Sequence, residues 1–301
     1  MVAPGRLGAV ICAMVTPFDD DGQLDVDGAV QLARWLVDNG NDGLLLAGTT
    51  GESPVLSDDE KIQLWRAVRE AVNVPVIAGS GTASTEHSVE LTRAAAQAGA
   101  DAVLAVTPYY NRPSQAGIEA HFRAIAEASS LPVIAYDIPK RTGREIKAST
   151  LLKLANEGVL AGVKDAAGSP AATAALIARA PAGFEVYSGD DSLTLPLLAV
   201  GAVGVISVAS HWAGPEMSEM VAAFIKGDNE VARALNARLV ESWEYQTSDE
   251  APNPVPTKAM LRSLGLPGGQ CRLPMGPTPA GLEERARQVW AHLRSAGLSA
   301  R

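Results

Sequence analysis

A lysine closes one of the apolar runs of this sequence, and no other residue carries as much chemistry. The run 159–165 ends Gly162-Val163-Lys164-Asp165, followed by Ala166. A lysine with a reference pKa near 10.4 is neutral in roughly one molecule in a few thousand at pH 7. Partial burial among Val163, Ala166 and adjoining strands would lower that pKa and expose a nucleophile. Such an amine forms a Schiff base with a ketone. An ion pair to Asp165 or Asp190 is the alternative reading of the same residue.

Other apolar runs also end in polar residues. Gly48-Thr49-Thr50-Gly51-Glu52 offers two hydroxyls and backbone N–H groups between glycines, either a cradle for a small carboxylate or a plain turn. Tyr136-Asp137-Ile138-Pro139-Lys140-Arg141-Thr142-Gly143 places Tyr136 near a strand end and Arg141 just beyond it. A guanidinium there either grips a substrate carboxylate with two bonds or is a solvated surface group. The adjacent Tyr109 and Tyr110 fit packing or an oligomer contact. Ser188-Gly189-Asp190-Asp191 closes a further run. His87, His121, His211 and His292 are scattered without ligand spacing, so no metal site is expected. No P-loop, Ser-His-Asp set or basic stripe is found, and Gly79-Ser80-Gly81 is a weak dinucleotide signal.

The elements that must position these residues follow from the hydrophobic pattern. Eight short runs, at 9–16, 43–48, 74–79, 102–107, 132–138, 159–165, 184–188 and 203–208, are mostly apolar throughout, as strands covered on both faces should be. Amphipathic segments separate them, at 57–72 (opened by Ser57 with Glu60 three residues on), 84–98, 114–128, 149–157 and 170–180. Eight units of about 25–30 residues predict an α/β fold, a closed (β/α)₈ barrel. In such a barrel only polar residues at strand C-termini are strong catalytic candidates. The barrel is expected over 1–225. A C-terminal helical extension packed on it is expected over 226–301, with helices at 228–246, 257–264 and 278–295 around a proline-rich connector at 252–256.

Composition narrows the function. With 25 Lys plus Arg against 34 Asp plus Glu, the net charge is −9, which disfavours nucleic acid and anionic membrane surfaces as partners. The 47% hydrophobic content supports a large core. Two distant cysteines, Cys12 and Cys271, form no disulfide framework and fit a reducing compartment, the cytoplasm. The run at 7–15 is expected to be a buried first strand rather than a signal peptide. The run at 193–208, broken by Pro196, Gly201 and Gly204, is expected to be helix, turn and strand rather than a membrane span.

Taken in order, Gly48-Thr49-Thr50-Gly51-Glu52, Thr107-Pro108-Tyr109-Tyr110-Asn111-Arg112-Pro113, Tyr136-Asp137-Ile138-Pro139-Lys140-Arg141-Thr142-Gly143, Gly162-Val163-Lys164-Asp165, Ser188-Gly189-Asp190-Asp191, Pro252-Asn253-Pro254-Val255-Pro256 and Arg272-Leu273-Pro274-Met275 resemble the dihydrodipicolinate synthase / N-acetylneuraminate lyase family over nearly the whole chain. The resemblance implies class I aldolase chemistry with pyruvate as donor. Lys164 would carry the imine, and Tyr136 would relay protons. Thr49 would link Tyr136 to Tyr110, which would reach into a neighbouring subunit. Thr49 and Thr50 would hold the pyruvate carboxylate; Gly189 and Ile206 would line the donor pocket. No metal or organic cofactor is implied, and a homo-oligomer, a dimer of dimers, is. Arg141 in its Lys-Arg-Thr-Gly context resembles the synthase branch, where it would bind the carboxylate of aspartate semialdehyde on the way to 4-hydroxy-tetrahydrodipicolinate. A sugar-acid lyase or aldolase, and a non-catalytic pyruvate-binding barrel, are the other readings. Some members bind lysine near the residue matching Tyr109; Lys61, Ala83 and His87 at the matching positions imply weak or absent inhibition by lysine.

Overall fold

A computed structural model describes residues 5–295. Strand and helix alternate from the start: β1 (Val10–Ala13), α1 (Val26–Asp38), β2 (Gly43–Leu46), α2 (Asp58–Ala71), β3 (Val76–Gly79), α3 (Thr85–Gln97), β4 (Ala102–Val106), α4 (Gln115–Glu127), β5 (Val133–Asp137), α5 (Pro139–Thr142), α6 (Ala148–Asn156), β6 (Gly162–Asp165), α7 (Pro170–Ile177), β7 (Glu185–Ser188), α8 (Thr194–Ala199) and β8 (Gly204–Ser207). All neighbours pair in parallel, and β8 returns to β1 through Val10↔Val205, Ile11↔Ile206 and Cys12↔Ser207, closing the barrel. This is the (β/α)₈ architecture expected from the eight apolar runs.

Nearly every strand residue is buried, which is why the runs are apolar rather than alternating. Inward side chains such as Ile11, Leu45, Ile77, Leu104 and Ile134 fill the barrel; outward ones pack under the helices. Gly79 shows how tight the wall is: a Cβ there would stand 2.3 Å from the Ala47 carbonyl oxygen. The helices start where local chemistry says they should. Ser57 and Glu60 exchange bonds in a full capping box at α2, and Asp25, Ser84 and Ser114 cap α1, α3 and α4. Each cap is worth about 1 kcal/mol.

The segment 193–208 forms α8, a glycine turn at Gly201 and β8, as expected. Beyond it α9 (Ser210–Lys226) starts directly after β8, with a break at Ala213 that accommodates Pro215. Then come α10 (Asn229–Tyr245), capped by Asp228, α11 (Val255–Ser263) and α12 (Leu282–Ser295). These helices form their own apolar cluster around Trp212, Met217, Met220, Leu235 and Leu239, continuous with the outer face of β1 and β8 through Val10 and Val205. Buried Glu216 on α9 ties in α12 through Arg294 at 2.5 Å.

Candidate active site

The parallel register puts Lys164 of β6 between Tyr136 of β5 and Tyr187 of β7, one residue from the strand's C-terminus. It is 4% exposed. Neither Asp165 nor Asp190 forms an ion pair with it. Asp165 accepts instead from the Ala167 N–H and the Thr173 hydroxyl, and Asp190 accepts from the Ser192 N–H and hydroxyl. The Nζ atom lies 4.4 Å from the centre of the Tyr136 ring. Burial pushes the amine down from an ordinary 10.5 to about 8; the charge on Asp191 opposes this and that on Arg141 adds to it. At that value about one amine in ten is neutral at pH 7, roughly 300-fold more than for an unshifted lysine.

A cavity of about 350 Å³ opens above this amine, lined among others by Thr49, Thr50, Tyr136, Arg141, Lys164 and Gly189. Six of the expected residues therefore meet in one place, although they come from the ends of β2, β5, β6 and β7. Tyr136 is buried, and burial pushes its phenol up to about 12, against the pull of Arg141 and the neighbouring Thr49 hydroxyl. It keeps its proton at neutral pH and is available as a donor. Arg141 sits in the short helix α5 rather than in a loop and is exposed at the rim. Gly189 leaves little room for a side chain: a Cβ would lie 3.0 Å from both the Lys164 Cγ and the Ala166 Cβ.

Two expected residues lie elsewhere. Ile206, expected in the lining, packs with Tyr136 and Leu45 in the barrel interior, and Val208 is the residue of that segment facing the cavity. The two are one strand repeat apart on one face, so the side chain at the mouth is the later one. Tyr110 does not reach this chain's own cavity; it is 93% exposed, with a left-handed φ of +70°. Among the described residues, the non-glycine left-handed positions are Ala47, Glu52, Tyr110 and Arg112, all in the segments that follow β2 and β4 at the mouth. Such conformations cost on the order of 1–3 kcal/mol each and cluster at functional sites.

The C-terminal helices contribute to the wall, which the strand-end rule did not anticipate. Trp243, Gln246, Thr247 and Asn253 line the cavity. Buried Lys258 pairs with Glu52 at 2.6 Å, and the Arg272 N–H donates to the other Glu52 oxygen at 2.8 Å. Removing either partner of so buried a pair costs about 3–5 kcal/mol, so the Gly-Thr-Thr-Gly-Glu turn is anchored from the far end of the chain. His211 plays a structural part as well. Its Nε2 accepts from the Val15 N–H at 3.0 Å and its Nδ1 donates to the Val208 carbonyl at 2.7 Å, tying the ends of β1 and β8.

Asp137 sits beside Tyr136 and opposite Asp165 in the register. Burial pushes its carboxyl up to about 7, with Asp165 and Glu145 adding to the rise and the Ile146 N–H bond opposing it. The unfolded chain loses this proton near pH 4 and the folded chain near 7, so stability falls as pH rises between the two and stays lowered above. Asp137→Asn should therefore raise the melting temperature at pH 8 by several degrees and hardly at all at pH 4, measured by calorimetry at both pH values. An equal shift at the two would contradict this.

A second cavity, of about 380 Å³, shares Thr49, Tyr136 and Arg141 with the first and extends to Asp58, Lys61, His87 and Tyr109. Lys61 is buried and faces Asp58 at 3.5 Å, while His87 Nε2 lies 2.8 Å from the same carboxylate.

Residues 6–293 match the model of the Dihydrodipicolinate synthetase family. The 4-hydroxy-tetrahydrodipicolinate synthase of Moorella thermoacetica is 51% identical, over 97% of this chain and 99% of its own; that of Acidothermus cellulolyticus is 47% identical, over 96% and 93%. Among solved structures, dihydrodipicolinate synthase from Bacillus anthracis superposes with a TM-score of 0.91 at 42% identity, covering 95% of this chain and 98% of that one. DHDPS from Cyanidioschyzon merolae with lysine bound gives 0.93 at 43% identity, covering 96% and 99%.

Proposed function

The chain belongs to the dihydrodipicolinate synthetase family, and from that premise we propose how the barrel mouth carries out the family's reaction. The protein is a lyase that condenses pyruvate with L-aspartate 4-semialdehyde to 4-hydroxy-tetrahydrodipicolinate, in lysine and diaminopimelate biosynthesis. One observation carries the mechanism: a buried lysine at a strand end, without an ion-pair partner among the described residues, facing a cavity, with its pKa lowered to about 8.

The neutral Lys164 amine attacks the pyruvate ketone. Tyr136 gives a proton to the departing oxygen, water leaves, and an imine forms. The positive imine nitrogen acidifies the methyl group, whose proton passes to the Tyr136 phenolate left by the dehydration and leaves an enamine. The enamine carbon attacks the semialdehyde, and Tyr136 protonates the developing alkoxide; the semialdehyde's own amine then attacks the imine carbon, gives its proton back to Tyr136, closes the ring and displaces Lys164. Thr49 and Thr50 hold the pyruvate carboxylate, and Arg141 at the rim holds that of the semialdehyde. The chemistry calls for no metal or organic cofactor. Tyr110, too exposed to remain bare, is buried in this reading by a second copy of the chain and supplies a hydroxyl to that copy's Thr49–Tyr136 pair; two such dimers form the assembly. The compartment is the cytoplasm, in keeping with two free cysteines. Among the described residues no helix is long and apolar enough to cross a membrane.

Turnover of pyruvate with aspartate semialdehyde, coupled to reduction of the product, tests the reading against cleavage of a panel of sugar acids. Activity on the semialdehyde alone supports it; efficient cleavage of a sugar acid without semialdehyde turnover would refute it. Lysine should inhibit weakly or not at all. The Lys61 ammonium lines the second cavity, and Asp58 already serves both Lys61 and His87, so a cationic ligand meets like charge. A rate halved by millimolar lysine would contradict this.

A further inference from the structure

Thr50 is held by residues some 200 positions away. Asn253, buried between α10 and α11, donates from Nδ2 to Thr50 Oγ1 at 2.9 Å. Thr257, fully buried in the first turn of α11, donates from Oγ1 to Asn253 Oδ1 at 3.1 Å. In this orientation the amide presents its oxygen to the Thr257 hydroxyl and its nitrogen to Thr50. A hydroxyl oxygen that accepts from a fixed donor still has its own proton to give. Thr50 lines the cavity that holds Lys164, so that proton has an acceptor there once an anionic substrate is bound.

We propose that Asn253 is a positioning residue of the keto-acid site, which makes the Thr50 hydroxyl an obligate donor to the substrate carboxylate. The chain Thr257→Asn253→Thr50→carboxylate runs in one direction, each bond polarising the next, and ends on a charged acceptor where the gain is largest. The C-terminal extension thereby sets the preference for an anionic donor substrate. This rests on the reading of Thr50 as a carboxylate ligand.

The test compares pyruvate with its methyl ester as donors for imine trapping on Lys164 by cyanoborohydride. In Asn253→Asp the new carboxylate accepts the Thr50 proton and turns it away from the cavity. Half-maximal trapping should need at least about tenfold more pyruvate, but at most about threefold more ester, because a neutral ester gains less from a hydroxyl donor. Thr257→Val, which adds no charge and frees the amide to turn, should show the same selectivity at about threefold for pyruvate. If Asn253→Asp fails to fold, Thr257→Val decides. A variant that weakens both donors equally, or neither, overturns the proposal. Thr50→Val separates the two levels: if it leaves pyruvate trapping unchanged, the carboxylate role of Thr50 is wrong. If it impairs pyruvate while Asn253→Asp and Thr257→Val do not, only the relay is wrong.

Discussion

Lys164→Ala should lower turnover by at least about 100-fold, some 2.7 kcal/mol of barrier, while the protein stays folded. The expected loss is large because Lys164 is the buried amine of the cavity, whereas Lys140, the other lysine of its lining, is exposed. The hydroxyls and the guanidinium there bind and protonate but cannot form the imine. Lys164→Arg should fare no better: it restores a positive charge, but the guanidinium stays protonated and is not a nucleophile at neutral pH. Steady-state rates of both variants, with circular dichroism to confirm folding, check this. A Lys164→Ala variant within tenfold of the parent rate would remove covalent catalysis from the account. The parent enzyme carries a further signature. Imine formation should rise with pH and level off above about 8, following the depressed amine.

Arg141→Ala has the second-largest expected effect and a different character. Arg141 lines both cavities from the rim, and in the proposed mechanism it meets the second substrate only. Loss of a bidentate, charge-assisted contact should raise the KM for aspartate semialdehyde by about 10–100-fold, with the KM for pyruvate changed by less than about threefold. Its charge also contributes to the low pKa of Lys164, so the acid limb of imine formation should move slightly to higher pH. Measured KM values for each substrate decide. A variant that loses pyruvate binding at pH 9, where the amine is neutral in any case, would show that Arg141 serves the first substrate instead.

The barrel was legible because parallel strands buried on both faces leave a distinctive mark, short unbroken apolar runs at a regular interval. A charged residue at the end of one, Lys164, stands out against that background. α1 left a fainter trace: Gly28 in its first turn and the aspartates at 19–21 ahead of its Asp25 cap read as turn chemistry. Ile206 against Val208 is a matter of where β8 ends at the mouth, and strand boundaries are the least legible feature of a pattern. Trp243 and Gln246 carry no local signal, and Asn253, though part of the Pro-Asn-Pro-Val-Pro motif, carries none that points to the cavity. They reach the cavity because α10 and the segment after it fold back over the mouth, a long-range event that spacing within one helix does not encode. The pairing of Glu52 with Lys258 is hidden for the same reason, since either residue alone reads as surface charge. Tyr110 is the opposite case: its place beside Tyr109 after a strand is plain, and the single chain leaves it exposed.

Borohydride reduction in the presence of pyruvate, followed by peptide mass spectrometry, addresses the reacting amine directly. One added 1-carboxyethyl group per chain is expected, on the peptide containing Lys164 and absent from Lys164→Ala. An adduct on another lysine, Lys258 or Lys61 included, or no adduct in an enzyme that turns over the semialdehyde, would contradict it.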